Sequence, residues 1–391
     1  MARKAWGVAL GSAVLVASAT VGILSQSNAL PSTKNGEWPA YTADIKGSRY
    51  SPLDQINASN FKKLEVAWRF KTDNLGTRPE YKLEGTPLMV KGVLYATAGT
   101  RRSVVALDPK TGELIWVHSM REGMRAAIAP RQLSGRGVSY WTDGKGDERI
   151  LYVTTGYRLV ALNAKTGAVI PSFGKDGIVD LKVGMVTGSG QQIDLETGEA
   201  GLHSTPTIVK DVVIVGSSFK EGMTTKTHNN TKGLVRAFDV KTGKLLWTFN
   251  TIPRPGEFGN DTWLNDSWKE NGNTGVWTQI SVDEELGLVY LPVESPSSDF
   301  YGGHRPGNNS VWREPRLRRF EDRPTEMALP DRPSSDLGLR PVIGSDPGRH
   351  HGERARNQGR RASQQRGVLV CVRSCDGAAG LADRGAPCTQ R

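Results

Sequence analysis

The sequence predicts an all-β protein assembled from a repeated antiparallel unit, and three observations predict it. The first is the density of strand signals from about residue 40 to residue 300: "GVLYATAG", "RILYVTTG", "TIVKDVVIVGSS" and "GLVYLPV", with no long amphipathic helical pattern between them. The second is a repeated motif: "ALDPKTGELIW" (106–116), "ALNAKTGAVI" (161–170) and "AFDVKTGKLLW" (237–247). Each copy reads as a strand end, a turn and a second apolar strand. Asp or Asn opens the turn by bonding its own backbone, and Gly takes the positive-φ position without steric cost. Trp116 and Trp247 then place a large apolar plate beyond the second strand. The third is spacing. The turn residues Asp108, Asn163 and Asp239 recur at intervals of 55 and 76 residues, too long for a hairpin alone. Those intervals suit a four-stranded blade with variable insertions, and one blade cannot cover both its faces. Several must pack around an axis, which is a β-propeller.

The chain divides into three stretches. Residues 1–29 read as an export signal: Arg3 and Lys4, a mildly apolar run from Trp6 to Leu24, and small residues at Ser27 and Ala29. An uncleaved N-terminal anchor is the rival reading, and no Cys follows the run to carry a lipid. The resulting expectation is a periplasmic protein, with membrane association left open. Residues 30–309 are the partial propeller. They contain no cysteine, which excludes a disulfide framework and a thiolate metal site. Residues 310–391 differ in kind: 16 Arg, no Lys, and all three cysteines, Cys371, Cys375 and Cys388. With 10 acidic residues, this stretch holds a surplus of 6 of the net charge of +11. The basic balance is therefore no sign of an anionic partner for the propeller. A nucleic-acid partner is excluded, because no binding motif or aromatic interleaving accompanies the Arg.

The three repeats, the block "WPAYTADIKGSRYSPLDQI", and the segments "RGVSYW", "RLVALNAKTG", "KDVVIVG" and "LGLVYLP" together resemble the pyrroloquinoline quinone (PQQ) dehydrogenases, in particular the glucose/quinate/shikimate branch. The resemblance runs from residue 38 to about Asn309. It implies an eight-bladed propeller, of which about the first half is present, with PQQ and Ca2+ as cofactors. It further implies a sugar or polyol substrate and a quinone or cytochrome electron acceptor. Trp277 matches the Trp on which the cofactor ring lies, and Glu84 matches a carboxylate or amide against it. Arg136 matches an Arg at the quinone oxygens, and Ser204 and Ser218 match polar contacts more loosely. Glu221 matches the metal-binding acid, whereas Ser295 stands where a second, Asn ligand is usual. Pro130 and Arg131 replace the vicinal cysteines of the alcohol-oxidising branch, which favours sugars or polyols.

The catalytic base of that family, an Asp in a His-x-x-x-Trp-Asp context, has no counterpart in this chain. It emerges in another reading frame. Residues 326–341 can be encoded so that the frame one base later reads KWHFQIVHHPIWDYD. The same shift upstream allows LFGESLVCVDSKTGQRK, and near the end GFLYVFDRVTGQPVWP, a fourth and a fifth copy of the turn. The tail is therefore expected to be an out-of-frame, disordered product and the chain an inactive truncated dehydrogenase. The alternative is a non-catalytic propeller scaffold of the cell envelope.

Overall fold

In the computed structural model the described residues are 30–220, 227–298 and 301–309, and their regular structure is mainly antiparallel sheet joined by long loops. The first sheet comprises β1 (Leu88–Val90), β2 (Val93–Ala98), β3 (Ser103–Leu107) and β4 (Leu114–His118). The second comprises β5 (Ser139–Thr142), β6 (Glu148–Val153), β7 (Arg158–Asn163) and β8 (Ile178–Asp180). The third comprises β9 (Thr207–Val209), β10 (Val212–Val215), β11 (Leu234–Asp239) and β12 (Leu245–Asn250). A pair, β13 (Ser281–Asp283) and β14 (Leu288–Tyr290), forms a fourth sheet. Each four-stranded sheet is a sequential meander and so one blade, and the pair is the edge of a fourth. The expected all-β propeller of four-stranded units is what the chain forms. The proposed signal and the Arg-rich tail lie outside the described residues. No helix among the described residues is long and apolar enough to cross a membrane.

Strand alternation explains how the blades stack. On β3, Val104 and Ala106 face the second blade, while Val105 and Leu107 face Trp68 and Phe70 on the other side. On β6, Ile150 and Tyr152 join the first blade's core and Leu151 and Val153 join the third's. On β10, Val213 and Val215 look back while Ile214 looks forward to Val282 and Val289 of the fourth sheet. Both faces of a middle strand are thus buried, which is why these strands read as continuous apolar runs.

The repeated turns are the joints between blades. Asp108 Oδ1 accepts from the Lys110 and Thr111 amides, and Asn163 and Asp239 repeat this pattern at their own turns. Trp68 Nε1 donates to the Pro109 carbonyl at 3.0 Å, and Trp116 Nε1 donates to that of Ala164 at 3.0 Å. In both cases the acceptor lies one residue past the turn's Asp or Asn, and the indole covers the turn's Gly. A Cβ at Gly167, where φ is +70°, would sit 2.5 Å from the Trp116 ring. The second repeat lacks a Trp, and the structure supplies a substitute. Arg149 on β6 donates to the Val240 and Lys241 carbonyls at 3.1 and 2.7 Å, the same place on the third turn.

Two local features differ from the sequence reading. The apolar residues after the second turn form only an isolated bridge, Leu162 with Val169, and the outer strand resumes as β8 beyond a loop at 171–177. Pro171 has no amide hydrogen to continue the ladder. The segment "SVDEELG" is a further copy of the turn, with Asp283 Oδ1 accepting from Glu285 and Leu286. Without Lys-Thr it escaped the motif.

Candidate active site

The site residues come together because they share a position in each blade. Glu84 precedes β1, Arg136 precedes β5, Ser204 precedes β9 and Trp277 precedes β13, each by three or four residues. The first strand of every blade starts at the same end of the stack, so these loops converge there. Backbone bonds join them in order. The Thr86 amide donates to Arg136 O at 3.1 Å, and the Arg136 amide donates to His203 O at 2.8 Å. The Ser204 hydroxyl donates to Trp277 O. Gly135, at φ +68°, makes the approach possible, since a Cβ there would lie 2.9 Å from Arg102 Nε and 3.0 Å from His203 O.

At the centre, the Arg136 guanidinium sits 5.4 Å from the Trp277 ring centroid and donates to Thr278 Oγ1 at 3.2 Å. Its Nε is 4.0 Å from Glu84 Oε2, and Lys82 Nζ holds Glu84 Oε1 at 3.0 Å. Of the residues expected from the sequence, Glu84, Arg136 and Trp277 are therefore assembled directly. Ser204 spends its proton on the Trp277 carbonyl and acts as a fastener. Ser218 is reached through Arg131, whose Nε donates to its hydroxyl at 2.6 Å. Glu221 lies outside the described residues, and among those described no group of three His, Cys, Asp or Glu is placed to hold a metal.

Four residues were not singled out as site residues: Lys82, Arg102, Arg131 and His203. Arg131, Lys82 and His203 line, with Glu84 and Pro130, a cavity of about 260 Å³. Arg102 lies buried beneath it, its guanidinium shared among the carbonyls of Leu133, Val153, Leu202 and Arg131. Burial alone, against more distant carboxylates, lowers its pKa to about 10. His203 stacks on Trp277, with ring centroids 5.7 Å apart and planes 11° from parallel. Burial first, then Arg136, Arg102, Arg131 and Lys82, push its pKa down to about 2, so the ring is neutral. The signal for His203 was present in "GLHSTP", one residue before Ser204, but only the blade geometry gives that position meaning.

The arrangement is an indole with the Arg136 guanidinium over its ring and His203 stacked on it, next to a cavity lined by Lys82, Arg131 and Glu84. Such a set suits a planar polyanion that carries a carbonyl. Residues 38–313 match the family model described as "PQQ: Glucose/ethanol/alcohol dehydrogenase, beta-propeller domain". The chain belongs to this family. It is similar to the glycerol dehydrogenase large subunit of Gluconobacter oxydans, 31% identical over 296 residues, covering 73% of this chain and 37% of that protein. The alcohol dehydrogenase (quinone), dehydrogenase subunit, of the same organism is 34% identical over 71% of this chain and 33% of its own length. The quinate/shikimate dehydrogenase (quinone) of Acinetobacter baylyi is 29% identical over 70% of this chain and 35% of its own length. Among solved structures, quinohemoprotein alcohol dehydrogenase ADHIIG from Pseudomonas putida HK5 superposes with a TM-score of 0.53 at 28% identity, covering 68% of this chain and 35% of that one. The chain thus spans about a third of the length of the curated relatives it matches. In this family context the cationic loop cluster fits a quinone cofactor that bears carboxylates.

Proposed function

We propose that residues 30–309 are the front part of an exported PQQ- and calcium-dependent dehydrogenase that oxidises a hydroxyl of a sugar or polyol and passes the electrons to a quinone or cytochrome. The observation that carries this reading is the convergence of Glu84, Arg136 and Trp277 from three different blades at one end of the stack. When bound, PQQ supplies the hydride acceptor. The chain's own residues hold and bias it. Trp277 offers a flat apolar face at little entropic cost. Arg136, held by Thr278 and Glu84, is a fixed positive charge beside that face and favours added negative charge there. Lys82 and Arg131 widen the cationic border. Ser204 holds the Trp277 backbone, and Ser218 braces Arg131. Glu221 would offer a carboxylate to calcium, a cation that takes hard oxygen ligands.

We assign no described residue to the removal of the substrate's hydroxyl proton. The Asp of HHPIWDYD in the alternative frame is the group we assign to that step, and general-base removal typically costs ~10²–10⁴-fold in rate. The chain as written is accordingly proposed to bind PQQ weakly without turning over. Dye reduction with glucose, quinate and ethanol, in the presence of PQQ and calcium, tests this on the chain as given and on a frame-restored version. Turnover by the restored version alone supports the reading. Turnover by the chain as given shows the Asp to be dispensable. No PQQ binding by either would leave a non-catalytic scaffold.

A further inference from the structure

His203 is a polar group that neither the sequence motif nor the proposed roles absorb. It lines the cavity with Glu84 and Arg131, and its side chain is only 10% exposed. One ring face lies against Trp277, and Nε2 is 3.8 Å from Glu84 Oε2. Nδ1 is buried and has no hydrogen-bond partner among the described residues. Four cations surround it, so the ring gains no proton from its setting. In a neutral imidazole one nitrogen donates and the other accepts. The Glu84 carboxylate, 3.8 Å away and so too far for a hydrogen bond, favours by its charge the tautomer with the proton on Nε2, which leaves Nδ1 as the acceptor. A buried acceptor without a donor is a standing cost, and such groups call for a partner. A ligand that satisfies it must bring a hydrogen.

We propose that His203 is a cofactor-contacting residue whose Nδ1 accepts a hydrogen bond from the pyrrole N–H of PQQ. This rests on the reading of the site as a PQQ site. The chemistry narrows the choice: at neutral pH the oxidised cofactor carries ionised carboxylates, two carbonyls and a pyridine nitrogen, all acceptors, and the pyrrole N–H is its one donor. Cationic side chains can serve every other polar atom of the cofactor, but they cannot serve that one. A neutral imidazole among four cations can. The stacking on Trp277 restrains the ring, so the contact also selects one orientation of the cofactor over its reverse.

The test is PQQ binding to the full chain, read as quenching of tryptophan fluorescence, together with thermal melts without cofactor. His203→Phe keeps a stackable ring and removes both nitrogens. His203→Asn puts an amide oxygen near the place of Nδ1, and His203→Gln puts its amide near Nε2 instead. We expect His203→Phe to bind roughly tenfold more weakly, the scale of one lost hydrogen bond to a buried group. Its cofactor-free melt should be unchanged or raised, because an unsatisfied atom has been removed. His203→Asn should bind within about threefold of the parent and His203→Gln should resemble Phe. Unchanged binding by His203→Phe overturns the proposal, as does equal weakness of all three variants or recovery by Gln rather than Asn. If the Phe variant fails to fold, the Asn and Gln pair decides. Loss of binding in the unsubstituted chain overturns the PQQ reading and this proposal with it, whereas binding that ignores the variants overturns this proposal alone.

Discussion

At the scale of single residues, charge placed in a buried loop cluster sets a measurable pH dependence. Burial and the neighbouring cations hold the His203 pKa down to about 2, against an ordinary 6.5. Below pH 6.5 the unfolded chain therefore binds a proton that the folded chain refuses. This contribution to stability is full above 6.5 and is lost as pH falls, by about 2 kcal/mol at about pH 5. Melts at about pH 7.5 and about pH 5 should show a smaller acid drop in His203→Phe than in the parent. His118, also lowered by burial, keeps its share in both. Arg125 shows the opposite sign of pairing. It is 1% exposed and bonds both oxygens of Asp180, at 2.8 and 2.5 Å. Burial pushes the Asp180 carboxyl up, but the Arg125 bonds, the Lys182 amide and the charges of Arg125 and Arg158 together outweigh it and hold the pKa below the usual range. Arg125→Ala should cost about 3 kcal/mol in urea melts, the scale for stranding one partner of a buried pair.

At the scale of elements, each turn is both a hairpin and a socket for the preceding blade. Gly167 and Gly92 separate the two roles. Both have positive φ, but a Cβ at Gly92 meets nothing within 4 Å, whereas one at Gly167 strikes Trp116. Gly92→Ala should therefore pay only for backbone strain, and Gly167→Ala should lose about 1–3 kcal/mol more from overpacking. Urea midpoints of the two variants compare them directly. Arg149 is predicted to be as necessary to the joint between the second and third blades as Trp116 is to the first. Arg149→Met keeps an apolar stem against Trp141 but loses the bonds to Val240 and Lys241, an expected cost of about 1.5–3 kcal/mol. The repeat could be read from Asp, Gly and Trp because each has a local job. Arg149 could not, because its partner carbonyls lie 91 and 92 residues away.

At the scale of the molecule, the described residues form three complete blades and one paired edge, and apolar clusters fill the spaces between successive sheets. The family match ends at residue 313, beside the change of composition at Ser310. We expect resequencing of the gene near the Asn309 codon to show one net base change that joins the propeller to the HHPIWDYD frame. Absence of a long open frame there would end that account. A frame-restored chain adds blades, and each added interface buries apolar surface on both partners. It should melt at a higher temperature and more sharply than the chain as given, by circular dichroism.

What the sequence by itself determined are the properties that local chemistry carries. The dense strand signals, the recurring Asp- or Asn-to-Gly turns and the Trp after two of the three sufficed for a propeller, because strand, turn and docking plate are each set within about a dozen residues. Glu84, Arg136 and Trp277 were legible through the family resemblance, not through any local pattern. Only the tertiary structure decided that they stand together, that Ser204 fastens Trp277, and that Lys82, Arg131 and His203 complete the border. These contacts join loops of different blades, up to 142 residues apart in the case of Arg136 and Thr278. Their physical cause is the common end at which every blade's first strand begins, and that direction exists only once the blades have stacked.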